Sequence, residues 1–89
     1  MATIHLPKVL TKITKQSTFE SPASTILALI HAMIADFPAL KPYLLSSSNS
    51  LTPFINIYVN QQDIRVLNKE HTPLNAADVV TFIPAMAGG

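Results

Sequence analysis

The chain has no cysteine, no tryptophan, only two glycines in 89 residues and only 12% charged residues. Each shortage removes a class of function. Without cysteine there is no disulfide, no thiolate zinc site and no cysteine nucleophile. Without an internal glycine there is no glycine-rich phosphate loop. A net charge of +1 gives no strong field for nucleic acid. The longest apolar stretch of the helical region, residues 26–35, is about ten residues long and is interrupted by His31, where a membrane span needs roughly 20. Residues 1–7 lack the charged start and apolar run of a secretory signal and the glycine that myristoylation uses. With 48% apolar residues the chain is not of disordered composition. The expectation is one soluble, cytoplasmic domain with a modest core and some apolar surface left for a partner.

The two glycines are also oddly placed. Average usage would supply about six in this length. Both are the last residues, Gly88 and Gly89. Chance alone puts two glycines there about once in 4,000.

Hydrophobic patterning gives an order of elements. Residues 3–9 carry Ile4, Leu6 and Val9 and read as a strand, with Pro7 suited to an edge or a strand end. Residues 11–16 read as a polar connection, and residues 17–20 as a short strand around Phe19 that can form a hairpin with the first. Ser21, Ser24 and Thr25 are candidate N-caps of a helix. Its buried face is spelled by Ile26, Leu29, Ile30, Met33, Ile34 and Phe37. Pro38 ends it, because the residue before proline avoids helical geometry. Residues 39–45 read as one extra turn broken at Pro42, and residues 46–52 as a Ser/Asn-rich loop.

Residues 54–59 form a strong strand, with Ile55, Ile57 and Val59 on one side and Phe54, Asn56 and Tyr58 on the other. Residues 60–63 read as a turn and 64–67 as a short returning strand. After a connection through Pro73 and Leu74, residues 79–83 are the last strand, stopped by Pro84. Val80 and Phe82 share one face; Val79, Thr81 and Ile83 share the other. Apolar residues on both faces imply a covered central strand or an exposed face used for binding. Strand, strand, helix, strand, strand, strand is the order of an α+β, ubiquitin-like β-grasp. It is a mixed sheet of four to five strands under one main helix, with the first and last strands parallel at the centre. The domain is expected over residues 1–84, with 85–89 as a C-terminal tail.

Few side chains outside the tail suggest chemistry. His5, His31 and His71 have no metal-ligand spacing, so no metal site is expected. Glu20, Asp36, Asp63, Glu70 and Asp78 do not pair in sequence as a general acid/base dyad would. No serine has a nucleophile-elbow context. Lys8, Lys12 and Lys15 cluster early, within a half-chain holding four lysines and two acids. Met33 belongs to the helix stripe. Met86 lies beyond the last strand, where nothing remains to bury it, and reads as a partner contact.

A tail ending in two glycines has a chemical use. Its carboxylate, with a pKa of about 3.5, is ionised and unreactive toward nucleophiles at neutral pH. Conversion to an acyl-adenylate by ATP makes the same carbonyl an electrophile. Glycine lets the backbone thread a narrow channel and approach a nucleotide closely. Composition alone leaves a frayed, inert terminus as an equal alternative.

Val79-Val80-Thr81-Phe82-Ile83-Pro84-Ala85-Met86-Ala87-Gly88-Gly89 resembles the C-terminus of the MoaD/ThiS family of ubiquitin-like sulfur carriers. Asn56-Ile57-Tyr58-Val59-Asn60 followed by Asp63-Ile64-Arg65 looks like the CysO-type branch, which serves cysteine biosynthesis. Leu74 and Asp78 also fall where the family has Leu and Asp. The family's glycine before that Asp is replaced by Ala77, which puts the local turn in question.

The resemblance implies a carrier and not an enzyme, with no bound cofactor. A ubiquitin-activating-type adenylyltransferase would use ATP to adenylate Gly89, and a sulfur donor would convert the carboxylate to a thiocarboxylate. A PLP-dependent, cysteine-synthase-like enzyme would take the sulfur, and a metal-dependent peptidase would release cysteine from the resulting adduct. Gly88 and Ala87 would form the thin tail. Met86, Ile83, Tyr58 and Arg65 would contact partners. The small subunit of molybdopterin synthase, a thiazole-synthesis carrier, a ubiquitin-like protein modifier and a binding module with an inert tail remain as alternatives.

Overall fold

The computed structural model describes residues 1–85. Its centre is a five-stranded mixed sheet in the order β2-β1-β5-β3-β4. The strands are β1 (Ala2–His5), β2 (Thr18–Ser21), β3 (Ile55–Val59), β4 (Gln62–Asp63) and β5 (Val79–Pro84). β5 lies parallel to β1, with Ile4 opposite Val80, and antiparallel to β3, with Ile57 opposite Phe82. The β-grasp expected from the sequence is therefore present, with β5 in the middle.

One helix covers one face. α2 (Ile26–Asp36) starts at Thr25, whose hydroxyl accepts from the Ala28 N–H at 3.1 Å, a cap worth about 1 kcal/mol. Leu29, Ile30 and Met33 are buried against Ile4, Val80 and Phe82 of the sheet in one core. Each such side chain contributes about 1.5–3 kcal/mol on burial.

Five expectations differ from the structure. Residues 62–63, read as part of a turn, form β4. Residues 8–14, read as strand end and polar connection, form helix α1 (Lys8–Thr14). Leu10 and Thr14, one turn apart, face inward, and Lys15 closes the helix at φ 65° with its N–H on the Thr11 carbonyl. Seven residues are too few to hold a helix in water, so burial and not propensity makes it. Residues 64–67 do not form a strand, because Asp63 caps a 3₁₀ turn (Ile64–Val66) by accepting from the Arg65 N–H at 2.8 Å. Pro42 does not break the segment after α2. It sits in the first turn of α3 (Lys41–Leu44), where a missing N–H removes no helical bond.

Pro84 does not stop β5. The Ala85 N–H donates to the Phe54 carbonyl at 2.8 Å, so the β3 ladder continues past the proline. Main-chain groups alternate sides along a strand. Pro84's nitrogen therefore points away from β3, toward the side where β1 has already ended at His5, and no ladder bond is lost.

The glycine shortage shows in the backbone. Lys15, Asn49, Asn60, Gln61 and Lys69 all hold positive φ without glycine's freedom. The turn joining β3 to β4 uses two of them, Asn60 and Gln61 at φ 51° and 75°, the geometry of a type I′ hairpin. Ala77 is not among the positive-φ residues, so the turn before β5 does not need the glycine it lacks. It closes instead through the Asp78 N–H on the Asn75 carbonyl (3.0 Å) and the Asn75 N–H on the Asp78 carboxylate (2.8 Å). The same carboxylate accepts from the Asn60 side-chain amide at 2.8 Å, while the amide oxygen accepts from the Val79 N–H at 2.9 Å. This clasp ties the hairpin to the start of β5.

Replacing Asn60 by Gly removes both side-chain bonds while keeping positive φ easy. It is expected to lower stability by about 1–2 kcal/mol. Asn60→Ala is expected to lose more, because alanine also resists that φ. Urea denaturation of the two variants measures the difference.

Candidate functional site

Among the described residues no helix covers the sheet's second face. Its residues follow from the strand alternation: Phe54, Asn56 and Tyr58 from β3 and its lead-in, Val79, Thr81 and Ile83 from β5, and His5 from β1. Cross-strand pairing sets their neighbours. Tyr58 is opposite Thr81 on one side and Asp63 on the other, Asn56 is opposite Ile83, and His5 is opposite Thr81 and Thr18. Ile83 is thus a diagonal neighbour of Tyr58 on the same face. β5 is central but not covered on both faces: Val80 and Phe82 are in the core, and Val79 and Ile83 are exposed.

Val79 is exposed at the start of β5 on this face, and a larger apolar pair lies toward the strand's end. Ile83 is 42% exposed and Phe54 60%. Phe54's carbonyl accepts the Ala85 N–H, so its ring stands beside the last described residue. That bond ties Ala85, expected to head the tail, into the sheet. Met86, Ala87, Gly88 and Gly89 lie outside the described residues. Phe54 was legible in the outward phase of its strand; what the sequence did not show was that it would sit beside the start of the tail.

Arg65 is placed differently from Ile83 and Tyr58. It lies at the sheet's edge, 69% exposed, in a fork with Asp63. Its Nη2 donates to Oδ2 at 2.6 Å, and its Nε lies 3.1 Å from both carboxylate oxygens. Hydrogen bonds from the guanidinium, then from the Arg65 main-chain N–H, hold the Asp63 carboxyl below the usual carboxylate range, and the carboxylate in turn raises Arg65. Asp63 stands opposite Tyr58, so the structure brings Tyr58, Asp63 and Arg65 together at one edge. Asp63 was the member the sequence reading missed, and its i, i+2 spacing to Arg65 was the available signal. Among the described residues no three of His, Asp and Glu come close enough to hold a metal, and no helix is long and apolar enough to cross a membrane.

Comparison with known proteins agrees with this geometry. The ThiS family model matches residues 4–89, which takes in both the sheet and the terminal glycines. The sulfur carrier protein CysO of Mycobacterium tuberculosis is 33% identical over 90 residues, covering 98% of this chain and 97% of that protein. Among solved structures, the Amycolatopsis orientalis BexX/CysO complex contains a chain that superposes with a TM-score of 0.88 at 29% identity, over 100% of both chains. The small archaeal modifier protein SAMP1 of Methanosarcina acetivorans superposes with a TM-score of 0.87 at 21% identity over 99% of this chain and 95% of that one, a likeness of fold.

The Asp63–Arg65 fork gives a titration test. In Arg65→Met the Asp63 carboxyl is expected to titrate higher than in the parent, read by carboxyl-carbon NMR. Because folding lowers this pKa, its stabilising effect is present above the ordinary carboxylate range and is lost as pH falls through the lowered value. Solvent screening at so exposed a pair keeps that effect small.

Proposed function

The chain belongs to the ThiS family, and from that membership we propose that it is a cytoplasmic sulfur carrier whose Gly89 carboxylate becomes a thiocarboxylate that supplies sulfur for cysteine. The observation that carries this reading is the length of the match. The family model runs to Gly89, and the CysO carriers align over nearly the whole chain. These relatives are named sulfur carrier proteins and not enzymes.

The chemistry belongs to the terminus and to partner enzymes. A ubiquitin-activating-type adenylyltransferase joins the Gly89 carboxylate to the α-phosphate of ATP and releases pyrophosphate. The carboxylate, a poor electrophile, becomes a mixed anhydride. Sulfide attacks the carbonyl, AMP leaves, and the terminus keeps sulfur in place of one oxygen. A thiocarboxylate sulfur is a soft nucleophile at neutral pH. A PLP-dependent cysteine synthase is the acceptor in the CysO-type route, and a metal-dependent peptidase then frees cysteine from the carrier.

The fold's contribution is delivery. A central strand anchored on both sides presents the tail from a rigid end. Ile83, Phe54 and Met86 supply apolar contact for the enzyme that receives the tail, with Tyr58 farther along the same face and Arg65 at its edge. Gly88 and Ala87 keep the approach narrow, since a glycine backbone can pass where a Cβ would clash.

Intact mass spectrometry tests the carrier role. Incubation with ATP, the adenylyltransferase and sulfide is expected to raise the mass by about 16 Da, one oxygen exchanged for sulfur. Deleting Gly89 should abolish the shift, and an unchanged wild-type mass would count against the reading. Supplying the cysteine synthase and its substrate should then add one cysteine residue to the carrier. Isopeptide-linked proteins on a denaturing gel in place of that product would instead indicate a protein modifier. Ile83→Asp is expected to weaken capture by the adenylyltransferase about tenfold while changing stability by no more than about 0.5 kcal/mol, since the side chain is exposed.

A further inference from the structure

The net charge of +1 conceals an uneven distribution. β1 and β5 are parallel, so β1 ends at His5 on the same end of the sheet from which β5 continues to Pro84. α1 begins three residues beyond His5 and returns to β2 at Thr18, opposite His5. Lys8, Lys12 and Lys15 are therefore grouped at the tail end, and all three are exposed.

Lys41 joins them. α2 starts at the opposite end, where the Ile26 N–H donates to the Thr72 carbonyl at 3.0 Å, and so finishes at the tail end. α3, which follows it, is tied to the lead-in of β3 by the Thr52 N–H on the Leu44 carbonyl (3.2 Å) and the Thr52 hydroxyl on the Tyr43 carbonyl (2.8 Å). Lys41 consequently shares an open groove with Phe54, the residue bonded to Ala85.

The acids are fewer there. Asp36, at the end of α2, and Glu20, which lines one cavity with Asp36, Thr14 and Gln16, stand nearest the four lysines and leave a surplus of two positive charges. Asp78 lies at the far end, before β5, and Glu70 and Lys69 offset each other beside Pro53 and Arg65. Asp63 and Arg65 neutralise each other. That fork is the one ion pair among the described residues, so no described carboxylate occupies the lysines. A partner that meets the tail end therefore meets a positive surplus, felt within the Debye length of about 8 Å at physiological salt.

We infer that Lys8, Lys12, Lys15 and Lys41 form a docking collar for an acidic rim around the tail-accepting channel of the activating adenylyltransferase. This rests on the carrier reading and specifies the partner's surface. Complementary charge orients the molecule tail first and speeds encounter more than it adds to the bound state. The collar also offsets the tail's own carboxylate, which must pass the same rim.

ATP–pyrophosphate exchange by the adenylyltransferase of the same organism, with the carrier varied, separates this inference from the reading beneath it. The triple variant Lys8→Glu, Lys12→Glu, Lys15→Glu is expected to raise the KM for the carrier about tenfold at low salt with kcat nearly unchanged. The neutral Lys→Gln triple should fall between, and guards against a folding defect caused by reversed charge in α1. Wild-type KM should rise as salt goes from about 0.02 to about 0.3 M, while the variants should respond less. Glu70→Lys, which alters net charge beside Arg65 and away from the four lysines, should not raise KM. Exchange with KM indifferent to the lysine variants and to salt would overturn the collar and leave the carrier role standing. No exchange from the wild type at any salt would overturn both.

Discussion

β5 accepts neighbours on both edges, β1 parallel on one side and β3 antiparallel on the other. Almost every other arrangement depends on that double pairing. Val80 and Phe82 face the helix only because β5 is locked in register by Ile4 and Ile57 across its two edges. A shift of one residue would send Val79, Thr81 and Ile83 into the core. The register is set at the strand's first residue by the Asn60–Asp78 clasp, where the Val79 N–H meets the Asn60 side chain. It persists to Ala85 because Pro84 turns its missing donor toward the open side.

The sequence was most legible where burial imposes a strong period. α2 carried six apolar residues on one stripe, a capping threonine and a terminating proline, and all three signals agreed. β3 and β5 alternated cleanly, and their outward residues were assigned to the correct face. α1 was hidden because its burial depends on partners distant in the chain; locally, Thr11, Lys12, Lys15 and Gln16 look like a loop. The turn at Ile64 was hidden because Asp63 competes for the backbone with its side chain, an effect that hydrophobic patterning does not register.

The site was legible in a different way. Gly88 and Gly89 were conspicuous by count and position, and no fold was needed to notice them. The surroundings of the tail were not legible, since they assemble from three separate parts of the chain. Phe54 comes from the lead-in to β3, Ile83 from β5, and the lysines from α1 and the start of α3. Linear charge counts hinted at an excess in the first half, but only the parallel pairing of β1 and β5 puts those lysines at the end where the tail begins. Topology thus converts a weak compositional bias into a local surface next to the reactive terminus.

The central place of β5 also bears on synthesis. A chain emerging from the ribosome holds β1, α2 and β3 long before β5, yet β1 and β3 share no ladder without it. The pairings that complete the sheet span most of the sequence, so they form late and together. A chain broken off before β5 has neither a closed core nor a tail to present. Integrity of the fold and possession of the terminus are therefore largely tested at once, and an enzyme that recognises the folded end of the sheet seldom engages a carrier lacking the strand that leads to its glycines.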